Sequence, residues 1–298
     1  MALEKTSVSS MKAHLEKGPG IAPDNKAALI VELTEPNGKV LVTEGKGGGK
    51  VMWKDLSVTA NVVNVNQKGI VSLNADPRIG EGKTGHLTIT APSHPGLKAE
   101  LDIPFRYDVA FVANFSGRNG MDGLSGLDGS NGSSGFPGST DPNNPSPGGD
   151  GGNGTDGSNG KDGYPGGNAP NALVRIAVQS GYHPLLQVSV STVDEEKLFL
   201  VDPQGGSLSV KADGGRGGSG GGGGRGGKGG SGGIGSPNGR NGTDGQDGRN
   251  GFDGPSGKGG SIRVAYDPAA KPYLGIIHLS NLYGPQPTFS EQSVPPLW

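Results

Sequence analysis

The sequence contains no cysteine, few aromatic residues and no long apolar run. Because none of its 298 residues is cysteine, disulfides, thiol catalysis and cysteine-ligated zinc sites are excluded. Aromatic residues make up 5% of the chain, so a conventional core can form in only part of it. No stretch of about 18 apolar residues occurs, which predicts no membrane-spanning helix. A net charge of −2 lacks the basic excess typical of nucleic-acid-binding proteins, and we expect no nucleic-acid partner.

The sequence also lacks the residue spacings of a catalytic or metal site. The histidines show no ligand spacing such as HxH or HExxH, and they are His14, His86, His94, His183 and His278. The acidic run Asp194-Glu195-Glu196 is typical of a hairpin turn rather than of an acid–base pair. No nucleophile lies in a recognisable pattern with a base. The sequence therefore predicts a protein that is not an enzyme and that holds no cofactor or metal.

Three short motifs match known signatures only in part. Residues 151–156 match the start of the calcium-binding repeat GGxGxD, but Ser158 stands where that repeat needs a large apolar residue. GxSxG occurs at 217–221 and 229–233 without the strand and helix that a nucleophile elbow requires. The pairs of glycines after Arg216 and Arg225 resemble RNA-binding RGG segments, which lack a fixed triplet phase. None of the three motifs predicts a site.

Residues 1–20 form a polar lead-in without the apolar region of a signal peptide. We expect an extracellular or cell-surface protein whose leader is absent from this chain. Between about 27 and 109, short β-branched runs alternate with turn residues, which predicts six or seven strands. The pattern indicates an N-terminal immunoglobulin-like β-sandwich over residues 1–112. The strand runs are predicted at 27–33, 39–43, 51–65, 70–75, 86–91 and 97–109.

Glycine, at 60 of 298 residues, recurs at every third position in four runs. The runs cover residues 117–138, 148–166, 214–235 and 239–260. A period of three matches the polyproline-II conformation, in which one residue in three forms a ridge along the helix. A ridge of glycines lets another backbone approach closely, and the N–H and C=O groups must then pair with neighbouring helices. The sequence therefore predicts four helices of the polyglycine-II type.

Such helices can form either a collagen trimer or a bundle made by one chain. Collagen is rich in proline, whereas only Pro137, Pro165 and Pro255 lie inside the runs. Residues 139–147 and 236–238 join the runs in two hairpins, and short hairpins require antiparallel neighbours. We therefore favour a monomeric bundle of four antiparallel helices over a collagen trimer. Run three has two glycines in each triplet, which predicts the most interior helix.

The other triplet positions are sorted by chemistry. The residue before each glycine is mostly Asn or Asp, whose side chains readily bond to backbone amides, and we interpret these residues as caps. In run one the residue after glycine is Met121, Leu124, Leu127 or Phe136 in four triplets. This apolar row is expected to pack against a β module or a partner.

The runs and the strand patterns predict five parts. After the N-terminal sandwich come a first polyproline-II hairpin (113–168), a small β module (169–213) and a second hairpin (214–260). Residues 261–298 complete the β module and form a C-terminal tail, whose Trp298 docks either on a partner or on the β module. Each run of about 20 residues would span roughly 65 Å, and both turns would lie at the distal tip.

The stretch from Asn114 into the GxD and GxN triplets, followed by residues 141–150, resembles collagen-like, glycine-rich surface proteins of Bacteroidota. Residues 183–188 and 272–275 are similar to the same group, in which an Ig-like domain precedes glycine-rich runs. The resemblance covers most of residues 60–298. It implies an envelope or surface location, often as a lipoprotein, with a protein or glycan partner or an outer-membrane complex, and it implies no activity.

The glycine bundle is also similar to the tip adhesins of some phage tail fibres and to an arthropod antifreeze protein. The first resemblance implies receptor binding by the loops 139–147 and 235–239. An antifreeze protein of this type uses flat faces of small residues, and Arg240, Arg249 and Lys258 interrupt such a face in this sequence. We therefore predict a surface scaffold that presents a rigid rod or, alternatively, an adhesin that binds through its tip. The candidate tip residues are Thr140, Asp141, Asn143, Asn144, Pro237 and Asn238.

Overall fold

A computed structural model describes residues 3–179, 181 and 183–298 of a mainly β protein. Its N-terminal part, called here the first β module, contains eight strands and one four-residue helix, α1 (Pro77–Gly80). The strands are β1 Ser10–Leu15, β2 Lys26–Thr34, β3 Val40–Val42, β4 Ser57–Asn61, β5 Val63–Val65, β6 Ile70–Leu73, β7 Gly85–Thr90 and β8 Lys98–Ile103.

Two antiparallel sheets enclose the core of the first β module. One has the order β1-β2-β6-β5 with β3 beside β2, and the other has the order β4-β7-β8. Alternate residues of β2 and β7 face inward, so Val31, Leu33, Leu87 and Ile89 are completely buried. Burying each such side chain contributes about 1.5–3 kcal/mol. The alternation in the sequence therefore produces the two-layered core.

Two predictions for the first β module are wrong. Residues 1–20 are more than a lead-in, because β1 pairs along its whole length with β2 and buries Met11 and Leu15. Ser10, Lys12 and His14 alternate with the apolar residues of β1, and these polar residues hid the strand in the sequence. The predicted strand 51–65 is interrupted by a 3₁₀ helix at Trp53–Asp55, and Val62 has a positive φ of 58° between β4 and β5.

The second β module has its own core, to which distant parts of the chain contribute. Its sheets have the orders β12-β11-β10-β14-β16 and β15-β13-β9. Val174, Ile176, Val188, Leu208 and Val210 are completely buried between them. The strands are β9 Ala110–Asn114, β10 Ala172–Gln179, β11 Leu185–Ser191, β12 Glu196–Val201, β13 Ser207–Lys211, β14 Ile262–Tyr266, β15 Ile277–Ser280 and β16 Thr288–Glu291.

The limits of the second β module differ from the sequence expectation. The predicted boundary at residue 112 falls inside β9, which pairs with β13 of the second module. A 3₁₀ helix, Pro268–Ile276, comes directly before β15, and Asp267 caps it by accepting from the N–H of Ala269. The predicted C-terminal tail contains a further strand, β16, at the edge beside β14.

The glycine runs form four extended segments that lie side by side and are neither α-helix nor β-strand. We call them segment 1 (117–138), segment 2 (148–166), segment 3 (214–235) and segment 4 (239–260), and together the four-segment bundle. Segments 1 and 3 run parallel, as do segments 2 and 4, and the other neighbours are antiparallel. No helix in the described part of the chain is long and apolar enough to cross a membrane.

The strands of the second β module lead directly into the bundle in the same register. β9 and β13 pair in parallel with an offset of 97 residues, and segments 1 and 3 that follow them keep this offset, as at Asn119 and Arg216. β10 and β14 follow segments 2 and 4, and both pairs have an offset of 90 residues. The sheet therefore sets the register of the bundle.

Candidate functional site: the four-segment bundle and its tip

Backbone hydrogen bonds cross the bundle at every triplet. At one level, Gly126 N–H donates to Gly222 O of segment 3 at 2.7 Å, and Gly224 N–H donates to Ser158 O of segment 2 at 2.9 Å. Gly248 N–H of segment 4 donates in turn to Gly224 O at 2.7 Å. Segment pairs 1 and 2, 1 and 3, 2 and 3, 2 and 4, and 3 and 4 are all joined in this way. Segments 2 and 3 thus have three neighbours each.

Glycine is required where the backbones meet. A Cβ atom at Gly224 would overlap the carbonyl oxygen of Leu127, and one glycine in each triplet of segment 3 has the same conflict with segment 1. These glycines are buried, in agreement with the expectation for the run that has two glycines per triplet. At Gly222 the nearest atom to an added Cβ would be Ser125 Oγ, 4.0 Å away. The third triplet position therefore tolerates a side chain.

The Asn and Asp residues cap backbone amides, as the sequence predicted, but they do so across segments. Asp128 Oδ1 accepts from Arg225 N at 2.7 Å, and Asp156 Oδ1 accepts from Gln246 N at 2.7 Å. Similar capping hydrogen bonds between segments, which we call rungs, repeat along three edges of the bundle. Segment 1 caps segment 3 with Asn119, Asp122, Asp128 and Asn131. Segment 2 and the residues after it cap segment 4 and Ser261 with Asp150, Asn153, Asp156, Asn159, Asp162, Asn168 and Asn171. Segment 4 and the preceding turn cap segment 3 with Asn238, Asn241, Asp244, Asp247, Asn250 and Asp253.

One rung in the series between segments 2 and 4 has proline on both sides. With the offset of 90 residues, Pro165 occupies the capping position for Pro255. Proline has no N–H, so residue 255 needs no cap, and the position that would cap it carries no acceptor side chain. This paired exception agrees with the register of the two segments.

The two turns of the bundle meet at its distal end. Ser236 N–H donates to Ser146 O at 2.9 Å, and Gly148 N–H donates to Pro237 O at 3.0 Å. Asp141 accepts from Asn143 N–H at 2.8 Å, and Asn238 accepts from Gly235 N–H at 3.0 Å. The predicted tip residues lie together here and are all exposed, namely Thr140, Asp141, Asn143, Asn144, Pro237 and Asn238.

Sequence reasoning recognised Phe136 as part of the apolar row of segment 1, but it missed that Pro137 and Ile234 extend the apolar surface next to these turns. Phe136 and Ile234 are 85% and 69% exposed, and Pro137, which follows Phe136 in the chain, is exposed as well. With the offset of 97 residues, Pro137 occupies the position from which an Asn or Asp would cap Ile234. This apolar pair, in place of a polar residue and its capped partner, was the signal in the sequence. Large apolar side chains that are mostly exposed at a free end are available to a partner.

The apolar row of segment 1 does not pack against either β module. Met121 is 69% exposed, Leu124 is 70% exposed and Leu127 is 79% exposed. The first of the two expectations for this row is therefore wrong. The reason is geometric, because only the glycine ridge of segment 1 points toward the other segments and the residues after glycine point outward.

Trp298 docks on the protein itself, but its side chain binds the first β module rather than the second, which was the alternative predicted from the sequence. Its indole N–H donates to Glu81 in the first β module, and Gln179 of β10 donates to the other oxygen of the same carboxylate. Nearby, burial raises the pKa of Tyr107 to about 12, and the negative charge of Glu81 contributes. The C-terminal segment thus ties the two β modules together.

A cleft between the β modules is lined by charged and aromatic side chains. Asp76 and Arg78 come from the first module, and Phe111, Lys197 and Phe199 come from the second. The Arg78 guanidinium hydrogen-bonds to Asp76 and lowers the pKa of that carboxyl. Asp24, Glu196 and Lys197 also line the cleft, so acidic and basic side chains are mixed in it.

The residues of the partial motifs serve the bundle. Asn153 and Asp156 of the GGxGxD match cap segment 4, and Arg216 and Arg225 receive caps on their own amides from segment 1. Within the described residues, no group of three His, Cys, Asp or Glu side chains could hold a metal ion. Comparison with known proteins finds no matching family model, no matching curated protein and no matching solved structure.

Proposed function

We propose that this chain is a structural or scaffold protein of the cell surface that presents a rigid glycine-rich rod and has no catalytic activity. In this proposal the first β module is an immunoglobulin-like sandwich, and the four segments are polyglycine-II helices. The observation that carries the proposal is the continuous register from the strands of the second β module into all four segments. A protein that only linked two domains would not need this register.

The mechanical argument rests on the hydrogen bonds between segments. Each segment has at least two neighbours, and its glycine amides are bonded at intervals of three residues. Bending the bundle would break several of these bonds at once, and each contributes roughly 1 kcal/mol. The anchored end lies at the second β module, and about 65 Å of rod would project from it.

Solution scattering combined with circular dichroism tests the rod. We expect an elongated particle and a polyproline-II signature that disappears in one cooperative transition. Deletion of one triplet from each segment at the same level should shorten the particle by about 9 Å and leave it folded. A compact particle, or unfolding after the matched deletion, would count against a rod. Protease treatment of intact producing cells tests the surface location, since a protected protein would contradict it.

The alternative function is that of an adhesin, and the contact between the two turns favours it. Six exposed residues from two distant parts of the chain converge at the free end, which is the arrangement needed to contact a protein or glycan on another surface. Binding to cells or to a glycan array should fall at least tenfold when Thr140, Asn143 and Asn144 are changed to alanine.

The matched control for the adhesin test changes exposed residues on the side of the rod, Gln246 and Arg249, to alanine. Loss of binding in the tip variant alone would support the adhesin. Equal binding by the wild type and both variants would favour the scaffold. Turnover of a substrate that is lost on one side-chain substitution would contradict both functions.

A further inference from the structure

Two rows of side chains line the outer groove between segments 1 and 2, which we call seam 1–2. Ser158 Oγ accepts a hydrogen bond from Leu127 N at 2.6 Å, and an added Cβ at Gly152 would lie 3.0 Å from Ser133 Oγ, so the rows are adjacent. Segment 1 contributes Arg118, Met121, Leu124, Leu127, Ser130, Ser133 and Phe136. Segment 2 and the residue after it contribute Gly149, Gly152, Thr155, Ser158, Lys161, Tyr164 and Gly167.

Seam 1–2 differs in charge from the other edges of the bundle. None of its positions, all of which the structure describes, carries a carboxylate, and its charged residues are Arg118 and Lys161. The other three edges each carry Asp residues in their capping rungs, such as Asp128, Asp156 and Asp247. Together with the exposed apolar row, this makes seam 1–2 the edge that is least costly to remove from water.

Side-chain size is sorted along the seam. The half next to the second β module carries large residues, namely Met121, Leu124, Leu127, Lys161 and Tyr164. The distal half carries small residues, namely Ser130, Ser133, Gly149, Gly152 and Thr155, and ends with Phe136. A surface with one bulky half and one shallow half is complementary to itself after a half-turn rotation.

We propose that two copies of this chain pair antiparallel through seam 1–2. The two-fold axis would pass between residues 127 and 130, so that Leu124 of one copy lies opposite Ser133 of the other. Tyr164 would then lie opposite Gly149, while Met121 and Phe136, which are both large and apolar, would pack against each other at the two ends of the seam. A parallel pair, with its two-fold axis along the rod, would instead place the large residues of segment 1 opposite the large residues of segment 2, as at Leu124 and Lys161.

The area of the seam is sufficient for such a pair. A groove about 65 Å long and about 10 Å wide would bury roughly 650 Å² on each copy. The total of roughly 1,300 Å² lies at the lower end of the range for specific, stable interfaces. The pairing goes beyond the scaffold function and does not depend on it, since either a scaffold or an adhesin can be a pair of rods.

Sedimentation equilibrium over a concentration series tests the pairing. Wild-type protein should form dimers, and Leu124→Asp should raise the dimer dissociation constant at least about 30-fold. The matched control is Phe252→Asp, because Phe252 is 80% exposed on the edge between segments 2 and 4 and should leave dimerisation unchanged. Circular dichroism melts establish that both variants are folded. Wild type that stays monomeric, or equal weakening by the two substitutions, overturns the proposal.

Disulfide cross-linking tests the antiparallel register. The sequence contains no native cysteine, so only the introduced cysteines can form disulfides. Leu124→Cys and Ser133→Cys proteins are mixed and oxidised, and we expect disulfides mainly between the two different variants. Disulfides mainly within each variant would overturn the antiparallel arrangement. Co-sedimentation with anionic phospholipid vesicles is the third measurement, and a monomer that binds vesicles through Leu124 would replace the second copy with a lipid surface.

Discussion

In the two β modules the chain buries large apolar side chains, whereas in the four-segment bundle it buries glycines and backbone amides. Val31, Leu87 and Ile176 are completely buried in the modules, while the large apolar residues of the bundle, such as Leu127 and Phe252, face solvent. The modules are therefore stabilised mainly by removing apolar surface from water. The bundle depends on hydrogen bonds and on backbone contacts that only glycine permits.

This difference changes what a small substitution does. In the core of a β module, a substitution to a smaller side chain destabilises the protein because a cavity remains. In the interior of the bundle, a substitution to a larger side chain destabilises the protein because no space exists for a Cβ atom. The two regions should thus respond in opposite directions to the same change in volume, and the following substitutions test that.

The largest effect is expected for Gly224→Ala. Its Cβ would overlap Leu127 O, and this oxygen cannot move without disturbing its hydrogen bond from Ser158 N. We expect a loss of about 4 kcal/mol or more, measured by thermal or urea unfolding. The control is Gly222→Ala, where the space is open, and alanine should stabilise by up to about 1 kcal/mol through the unfolded chain. Equal effects of the two alanines would contradict the packing of segments 1 and 3.

In the second β module, Leu208→Ala should cost about 2–5 kcal/mol. Leu208 is completely buried in β13, so the substitution leaves a cavity. Because β13 leads into segment 3, we expect the bundle and the module to melt together at a lower temperature. Val193 is 89% exposed, and Val193→Ala should change stability by no more than about 0.5 kcal/mol. If the circular dichroism signal of the bundle in Leu208→Ala were lost only at the wild-type melting temperature, the bundle and the module would unfold independently of each other.

A capping rung should have a smaller effect. Asp247→Ala removes the acceptor for Gly226 N–H and should cost about 1 kcal/mol, as seen by chemical unfolding. Asp247→Asn should be almost neutral, because an amide oxygen accepts the same bond and Asn250 does so at the next rung. If the Asn variant lost as much stability as the Ala variant, the charge of Asp247 rather than its hydrogen bond would be responsible.

The smallest effect is expected at the junction of the modules. The Tyr107 hydroxyl is buried and has no hydrogen-bond partner among the described residues, and its pKa is raised to about 12. A raised folded-state pKa means that its contribution to stability is complete below the unfolded pKa of about 10 and is lost as the pH rises through 12. Tyr107→Phe should stabilise by up to about 1 kcal/mol and flatten the stability profile between pH 10 and 12. An unchanged alkaline profile would show that Tyr107 does not titrate there.

Much of the bundle could be predicted from the sequence, because its rules are local. The glycine period defined four segments, the polar residues before glycine were correctly interpreted as caps, and the turns at 139–147 and 236–238 meet as expected. The β regions were predicted less well. The strand β1 is polar on one face and β16 is short and exposed along its whole length, so both were missed. The strand β9 joins a sheet whose other strands lie far away in the chain.

The position of the apolar row was beyond local reasoning. Met121, Leu124 and Leu127 were recognised as a row, but nothing in their spacing showed which neighbours segment 1 would have. Their exposure follows from the arrangement of the segments, in which one ridge of segment 1 faces segments 2 and 3 and the other two ridges face outward.

The sequence by itself determined where glycine recurs at every third residue, and therefore along which ridges another backbone can approach closely. It also determined where the chain turns and which side chains can cap an amide. Only the tertiary structure decided the pairing offsets of 97 and 90 residues. The physical reason is that a triplet repeat has nearly the same energy after a slip of three residues, whereas the side chains of β9, β10, β13 and β14 fit their common core in one register.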